Sequence, residues 1–321
     1  MTSRPARAEA PPEAWSGEGI AALAVECLAL EVDAWPKPGL VSRIDSGSHA
    51  DMDAGTFARS AEALRPHFTS LAEAGRAGAG MARLRAIGIA AETEMLAATG
   101  GVNTHRGVIF GLGLLCAAAG FRALLPSGEK VPGRGDERLT ARVPHYPSSD
   151  RAPPGHLLPG GEKDGRTLGA IVATSWGAGI LAGPVPLQTH GGEARRLYKA
   201  GGARAEAAAG FPTLYAVGLP ALHEGRRLAP GDAEAAHLHC CFALVATLED
   251  TNLLHRGGPT GLGFARREAT GFLDRGGVGA TGWREDALRI HRAFVARRLS
   301  PGGSADLLAM TLFADACEAT A

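Results

Sequence analysis

From Pro36 to Asp53 the chain reads PKPGLVSRIDSGSHADMD, a nearly helix-free run that combines cations, turn-forming glycines, a histidine and two closely spaced acids. Lys37 and Arg43 are side chains that hold anionic oxygens, and Asp51 and Asp53 are hard carboxylates suited to a divalent ion such as Mg²⁺. The competing reading is a polar loop in which Asp51 or Asp53 caps the helix suggested by Phe57, Ala61 and Leu64. Three more segments share this character, each beside a helical pattern and each mixing glycine with ligand-type residues. They are TGGVNTHRGVIFGLG from Thr99, EDTNLLHRGG from Glu249 and SPGGSADLLA from Ser300. Four such segments in one chain are expected to converge as loops on one polar cleft.

The elements that must position them are helices. Ala, Leu, Arg and Glu are abundant, while runs of Val, Ile, Thr and aromatics are scarce, so an all-α, multi-helix globular fold is expected. The first helix is read over Glu18 to Asp33, with Ile20, Ala24, Cys27 and Leu28 on one face; one more turn of that stripe reaches Glu31. A stripe through Leu84, Ile87 and Ala91 reaches Glu94, and one through Leu238, Phe242 and Val245, on a helix beginning near Asp232, reaches Glu249. Carboxylates that end apolar stripes are costly unless paired or metal-bound, or unless they reach water at the stripe's edge. At 321 residues the chain has room for a substantial core. It is read as a disordered lead-in over 1–16 and a single helical catalytic domain over 17–321. A Pro/Gly-rich flexible loop or insertion is expected at 122–166.

Composition narrows the function classes. Lys plus Arg number 33 and Asp plus Glu number 33, so no global pull toward nucleic acid or an anionic membrane is expected. The 5 cysteines are odd in number and lack CxxC spacing, which fits a reducing cytoplasm rather than a disulfide framework. The uncharged run from Leu168 to Gln188 is interrupted by Ser, Thr, glycines and prolines, and is read as a buried helix with a loop rather than a membrane span. GxxxxGK[ST] and GxSxG are absent. His237, His239, Cys240 and Cys241 sit on an apolar helix, without the second ligand pair that comparable zinc sites need.

PKPGLV, GxHxDMD, GGVNTH, EDTN ahead of RGG, and SPGGSADLLA, in this order, resemble the triphosphoribosyl-dephospho-coenzyme A synthase family. That family serves the acyl-carrier subunits of malonate decarboxylase and citrate lyase. The resemblance runs from about Ala21 to Asp315 apart from the Pro/Gly-rich middle, and takes in THGGEARRLY and GGARAEAAAGFP, Thr189 to Pro212. Ser42, Asp45, Arg106 and Ala205 depart from the family pattern, which often has an acid, Asn, Lys and Gly there.

The resemblance implies transfer of a triphosphoribosyl group from ATP to a ribose hydroxyl of 3′-dephospho-coenzyme A, with release of adenine. Such a reaction develops positive charge on the sugar while several phosphate charges are held still. On this reading Lys37, Arg43, Arg106 and Arg256 hold phosphate oxygens. Asn103, Thr104 and Asn252 touch adenine or ribose, the two asparagines having helix capping as their structural alternative. Ser300, Gly302 and Gly303 receive a phosphate on backbone N–H groups. Mg²⁺ is the expected cofactor, with Glu31, Asp51, Asp53, Asp250 and Asp306 as candidate ligands, and Asp306 equally readable as a first-turn acid. His49, Glu94, His105 and Asp250 are candidates for the general base. The product would pass to an acyl-carrier-protein transferase, in malonate decarboxylase rather than citrate lyase assembly. No nucleic-acid or membrane partner is expected, and a homo-oligomer is compatible with the sequence. The alternatives are a metal-dependent hydrolase of a nucleotide or ADP-ribosyl N-glycosidic bond, and a non-catalytic nucleotide-binding assembly subunit.

Overall fold

The computed structural model describes residues 15–123, 167–184 and 202–319. Five of the helices begin at a residue that supplies a capping oxygen. Ser16 Oγ accepts the Gly19 N–H at 3.0 Å and opens α1, Gly17–Asp33. Asp53 Oδ1 accepts the Thr56 N–H at 2.8 Å and opens α2, Ala54–Arg76. Next come α3, Met81–Ala98, and α4, Arg106–Arg122. Thr167 caps α5, Leu168–Ala182, and the short α6, Gly202–Ala208, leads into a π-helical turn, Leu214–Gly218. The chain continues through α7, Leu219–Leu228, and α8, Ala233–Thr247, whose cap is Asp232. Asp250 caps α9, Thr251–Asp274; α10, Trp283–Ala296, and α11, Gly302–Glu318, complete the fold. The described residues contain eleven α-helices and no strand, so the fold is all-α as expected.

The core is centred on α4, which is buried almost all round from Val108 to Gly120 and packs on α2, α5 and α11. Small residues allow the closest approach. A Cβ on Gly75 of α2 would lie 1.9 Å from the Ala117 carbonyl oxygen, and one on Gly120 of α4 would lie 1.9 Å from that of Ala72. The two backbones therefore touch, and neither position accepts a side chain. The first apolar stripe is as read, with Ile20, Ala24, Cys27 and Leu28 buried and Glu31 buried at its end.

Two expectations are corrected. The α3 stripe of Leu84, Ile87 and Ala91 continues to buried Met95, not to Glu94, which is exposed. A step of three where the helix needs four rotates a side chain about 100° off the stripe. The expected lead-in also reaches too far. The Arg122 guanidinium lies 5.3 Å from the Trp15 ring and Arg76 donates to the Trp15 carbonyl, so Trp15 and Ser16 belong to the folded body. Residues 1–14, 124–166 and 185–201, which take in most of the expected loop and of THGGEARRLY, lie outside the described residues. Leu168–Ala182 is a buried helix, as read. Among the described residues no helix is long and apolar enough to cross a membrane. All five cysteines are buried, and burial pushes their thiols up.

Candidate active site

The non-helical run after α1 is held in place by residues far away in sequence. Gly39, at φ +65°, lies so close to the segment before α11 that a Cβ would stand 2.1 Å from the Leu299 carbonyl oxygen. Ser48 Oγ donates to that same carbonyl at 2.6 Å. On the other side His291 of α10 reaches the Lys37 carbonyl with Nδ1 at 2.5 Å and Asp45 Oδ1 with Nε2 at 3.2 Å. The glycines of RGG serve the same junction. Gly258, at φ +59°, kinks α9 ahead of Pro259, and Gly257 lies where a Cβ would meet Leu299 at 2.6 Å. The left-handed turn and the missing side chain together let the start of α11 lie beside Arg256.

All four motif segments line one cleft of about 1400 Å³. Its walls also take in Glu31 at the end of α1, Glu92 of α3 and the α6 segment through Thr213. At the Arg256 wall, Arg256 Nη1 donates to the Ser48 and Arg298 carbonyls at 3.2 Å each, which aims its Nη2 at His49, 3.2 Å from Nδ1. His49 Nε2 lies 2.9 Å from Ser300 Oγ, and Asp51 stands 3.6 Å from His49 Nδ1. Burial first, and Arg256 second, hold the His49 pKa below its ordinary value.

The α4 wall is built on the NTHRG turn. Asn103 Oδ1 accepts the Arg106 N–H at 3.2 Å, so this asparagine caps the helix start. Arg106 Nε donates to Glu92 at 2.6 Å, while the guanidinium stays about a third exposed. Thr104 lines the cleft, yet its hydroxyl donates inward to Ser60 at 2.7 Å. Opposite lies Asp306 of α11, whose Oδ2 occupies the space a Cβ on Gly107 would need, at 1.9 Å. Asp306 is partly enclosed. Burial first, then the charges of Asp250 and Glu31, raise its pKa well above the carboxylate range.

The cleft does not use every predicted residue. Lys37 is fully buried behind it, with its ammonium donating to the Glu31 carbonyl and to Glu31 Oε1 at 2.6 Å; it holds a carboxylate, not a phosphate. Arg43 is an exposed surface partner of Asp33, outside the cleft walls. Asp53 is the α2 cap, and its bonds from Thr56 hold its pKa down. Glu94 is exposed outside the cleft, rotated off the buried stripe of α3. Asp250 is nearly fully buried, and both its oxygens are taken: Oδ1 by the N–H groups of Asn252 and Leu253 at 2.9 and 3.3 Å, Oδ2 by Ser304 N and Oγ at 2.9 and 3.1 Å. It ties the start of α9 to the start of α11, and burial outweighs these bonds in raising its pKa.

His49, Asp51, Asn103, His105, Arg106, Asn252, Arg256, Ser300, Gly302, Gly303 and Asp306 do come together as predicted. The Gly302 and Gly303 backbones face α9, a Cβ on Gly302 meeting Asn252 Nδ2 at 2.6 Å and one on Gly303 meeting Asp250 Oδ2 at 3.2 Å. The site can thus hold anionic groups on arginines and helix-start amides beside the Asp306 carboxylate, which is unpaired among the described residues.

The sequence pattern of the family described as ATP:dephospho-CoA triphosphoribosyl transferase matches residues 17–142 and 175–321. The chain belongs to this family. A Pectobacterium carotovorum relative named probable 2-(5''-triphosphoribosyl)-3'-dephosphocoenzyme-A synthase is 40% identical over 291 residues, 88% of this chain and 84% of its own. The Klebsiella pneumoniae 2-(5''-triphosphoribosyl)-3'-dephosphocoenzyme-A synthase is 36% identical over 313 residues, covering 95% and 93%. A probable synthase of the same name from Stutzerimonas stutzeri is 35% identical over 305 residues, covering 94% and 92%. No solved structure matches.

This triphosphoribosyl transferase family member carries site residues that the motifs did not announce. Glu92 orients Arg106, and a step of two residues separates it from the Glu94 that the stripe suggested. Ser60, two turns into α2, backs His105 and has no sequence signal apart from sharing the buried face of that helix. Among the described residues no group of three or more His, Cys, Asp or Glu is arranged to hold a metal ion. A nucleotide-bound Mg²⁺ takes most of its ligands from phosphates and one or two carboxylates from the protein, and the carboxylates in the cleft walls include Asp51 and Asp306.

Proposed function

We propose that the cleft joins ATP to 3′-dephospho-coenzyme A, giving 2′-(5″-triphosphoribosyl)-3′-dephospho-coenzyme A and adenine. The observation that carries the reading is the convergence of all four motif segments on one cleft, together with membership of a family described by these two substrates. Its 1400 Å³ exceeds the roughly 300–1,000 Å³ of an ordinary small-molecule pocket, as two nucleotide-sized substrates require.

In the step itself the bond from C1′ of the ATP ribose to adenine N9 breaks, and its electron pair leaves with the base. The acceptor hydroxyl oxygen forms the new bond to that carbon, and its proton ends on adenine. Arg256, Arg106, the Ser300 hydroxyl and the Gly302 and Gly303 amides hold the phosphates. Asp306, unpaired among the described residues, opposes the positive charge that develops on the sugar and relays the hydroxyl proton to adenine. Asp51, exposed beside His49, would share a phosphate-bound Mg²⁺, which would supply charge neutralisation there. The product serves the acyl-carrier subunit of malonate decarboxylase through a further transferase, and the enzyme works in the cytoplasm.

Adenine release from ATP and Mg²⁺, followed by chromatography with and without 3′-dephospho-coenzyme A, tests the reading. Adenine formed only with the acceptor, alongside a heavier coenzyme A derivative, is the expected result. Release without the acceptor would make the protein a hydrolase, and ATP binding without any release would make it a non-catalytic subunit.

A further inference from the structure

Along α3, Met81, Arg85, Gly88 and Glu92 line the cleft at i, i+4, i+7 and i+11, a single stripe flanked by Ile89, which is 62% exposed. From Met81 to Glu92 this face runs about 16 Å by helical rise. Its Glu92 end meets Arg106 at the start of α4. From there α4 runs back along α3, because Phe121 near its other end meets the Trp176 ring, and Trp176 Nε1 donates to the Ala79 carbonyl just ahead of α3. Phe110 and Leu114, about one and two turns beyond Arg106, therefore follow the stripe as it recedes from the charged end, and both line the cleft. Phe211 adds a further apolar wall. It is a bulky residue at φ +58°, a region such residues avoid, and its N–H donates to the Glu206 carbonyl at 2.8 Å. Its ring lies 3.8 Å from where a Cβ on Gly111 would stand, so backbone strain is kept where it sets an aromatic ring beside α4. The charged side chains bordering this arm are turned to backbone groups. Arg85 Nη2 donates to the Gly179 carbonyl at 3.1 Å, Arg204 donates to the Leu181 and Gly183 carbonyls, and Glu206 Oε1 accepts the Thr213 N–H at 2.6 Å.

We propose that this arm of the cleft binds the uncharged pantetheine chain of the acceptor, with Arg106 at the pyrophosphate and Ile89 as a specificity-determining residue. This rests on the proposed reaction. Continuity and charge select the occupant. The arm opens from the same cleft as Asp306, so a chain lying in it stays attached to a nucleotide whose ribose reaches the reacting carbon. Of the two substrates only 3′-dephospho-coenzyme A carries a long neutral chain, made of two amides, a hydroxyl, a gem-dimethyl group and a terminal thiol. Such a chain joined to a pyrophosphate needs a cation at one end and a long apolar wall beyond it. Arg106, whose guanidinium stays about a third exposed beside Glu92, is that cation, and the α3 face with Phe110, Leu114 and Phe211 is that wall. The triphosphate of ATP is left to Arg256, the Ser300 hydroxyl and the Gly302 and Gly303 amides, where the cleft is polar. Discrimination between the two nucleotides then comes from the part of the acceptor that takes no part in the chemistry.

Two readouts on the full chain test this. The first uses 4′-phosphopantetheine, which carries the chain without the adenosine. It is expected to bind wild type in calorimetry and to inhibit competitively against 3′-dephospho-coenzyme A but not against ATP. The second is steady-state turnover. Ile89→Asp, which sets a charge in the arm at an exposed position, is expected to raise KM for 3′-dephospho-coenzyme A about 10-fold or more, with KM for ATP and kcat at saturation unchanged. The same variant should weaken 4′-phosphopantetheine by a similar factor. Ile89→Leu should keep the wild-type KM values, and so should Ala90→Asp, which places the same charge one residue on, outside the cleft. Unchanged KM values in Ile89→Asp, an equal rise in both, or competition of 4′-phosphopantetheine with ATP would overturn the proposal. A fall in Tm as large as that of a core substitution in Ile89→Asp would mean that the chain itself fills the arm, which would overturn it too. If the wild type released no adenine with 3′-dephospho-coenzyme A, the proposed reaction would fall, while 4′-phosphopantetheine binding and its loss in Ile89→Asp would still decide what the arm holds.

Discussion

Replacing Asp250 by alanine separates a structural acid from a chemical one. Its carboxylate accepts four bonds, two from the first turn of α9 and two from Ser304 at the start of α11. Asp250→Ala removes a helix cap, worth about 1 kcal/mol. It also leaves the Ser304 N–H and hydroxyl unpaired in a residue that is fully buried, at roughly 1–3 kcal/mol for each group. Relief of repulsion on Asp306 offsets part of this, so a net loss of about 3–5 kcal/mol is expected, a Tm lower by about 10 °C. Asp250→Asn should fall nearly as far, because its amide would point a donor at the Ser304 donors. Ser304→Ala, which loses one hydroxyl bond, should cost about 1 kcal/mol. Thermal and urea unfolding of the three variants, with adenine release measured well below each Tm, make the comparison. If Asp250→Ala unfolded within about 0.5 kcal/mol of wild type, the range of an ordinary surface change, yet lost all turnover, the carboxylate would be acting on substrate or metal and the staple argument would be refuted.

Other outcomes follow from the same reasoning. Lys37→Met strands Glu31 in the interior and should cost about 3–5 kcal/mol, most of which the Glu31→Gln, Lys37→Met double variant should recover in urea unfolding. Asp306→Asn should raise Tm at pH 7 while adenine release falls at least about 100-fold. Because the folded pKa of Asp306 is raised, wild type has this stability in full below the unfolded carboxylate value and loses it as pH rises toward the folded value. The gain in Asp306→Asn should therefore vanish in acid, grow with pH and then level off, as melts across that range would show. Arg43→Ala, which breaks an exposed pair with Asp33, should leave both Tm and turnover at wild-type levels.

Much of the fold was legible because helix starts carry their own chemistry. Asp232 and the apolar run behind it announced α8, and the stripe from Ile20 to Glu31 announced α1 and the burial of its last acid. The site was legible as segments, since glycine beside ligand-type residues marks backbone that packs closely or turns sharply, as Gly39, Gly258 and Gly302 do. Roles inside the segments were not. Asp53 and Asp250 have the types and spacing of metal ligands, but those are also the types that cap helices, and only the position of the helix start distinguishes the two. Lys37 illustrates the limit from the other side: a lysine beside glycine and proline in a polar run reads as exposed, and nothing local says that Glu31, six residues earlier, folds back over it. The Glu94 error was one of phase, where a three-residue step pointed away from the cleft that Glu92 reaches.

The acids of the cleft make a chemical argument that the motifs alone do not. Glu31 is balanced by Lys37, and Asp250 by four donors, so each is tolerable in the interior. Among the described residues Asp306 has neither kind of support, and it feels both neighbours' charges where Gly107 leaves room for it. Stability alone favours a neutral side chain there. In its ionised form a carboxylate in a partly enclosed cleft presents a negative field that water does not fully screen, and such a field acts most strongly on charge that appears only during reaction. Breaking a bond from ribose to a base creates positive charge on the sugar, whereas the triphosphate is negative throughout and would be repelled by Asp306. On the proposed function the exposed Arg256 and the half-buried Arg106 answer the phosphates. This division, cations for the charge the substrate always carries and an unpaired acid for the charge it acquires, is the arrangement that pentosyl transfer from a nucleotide requires.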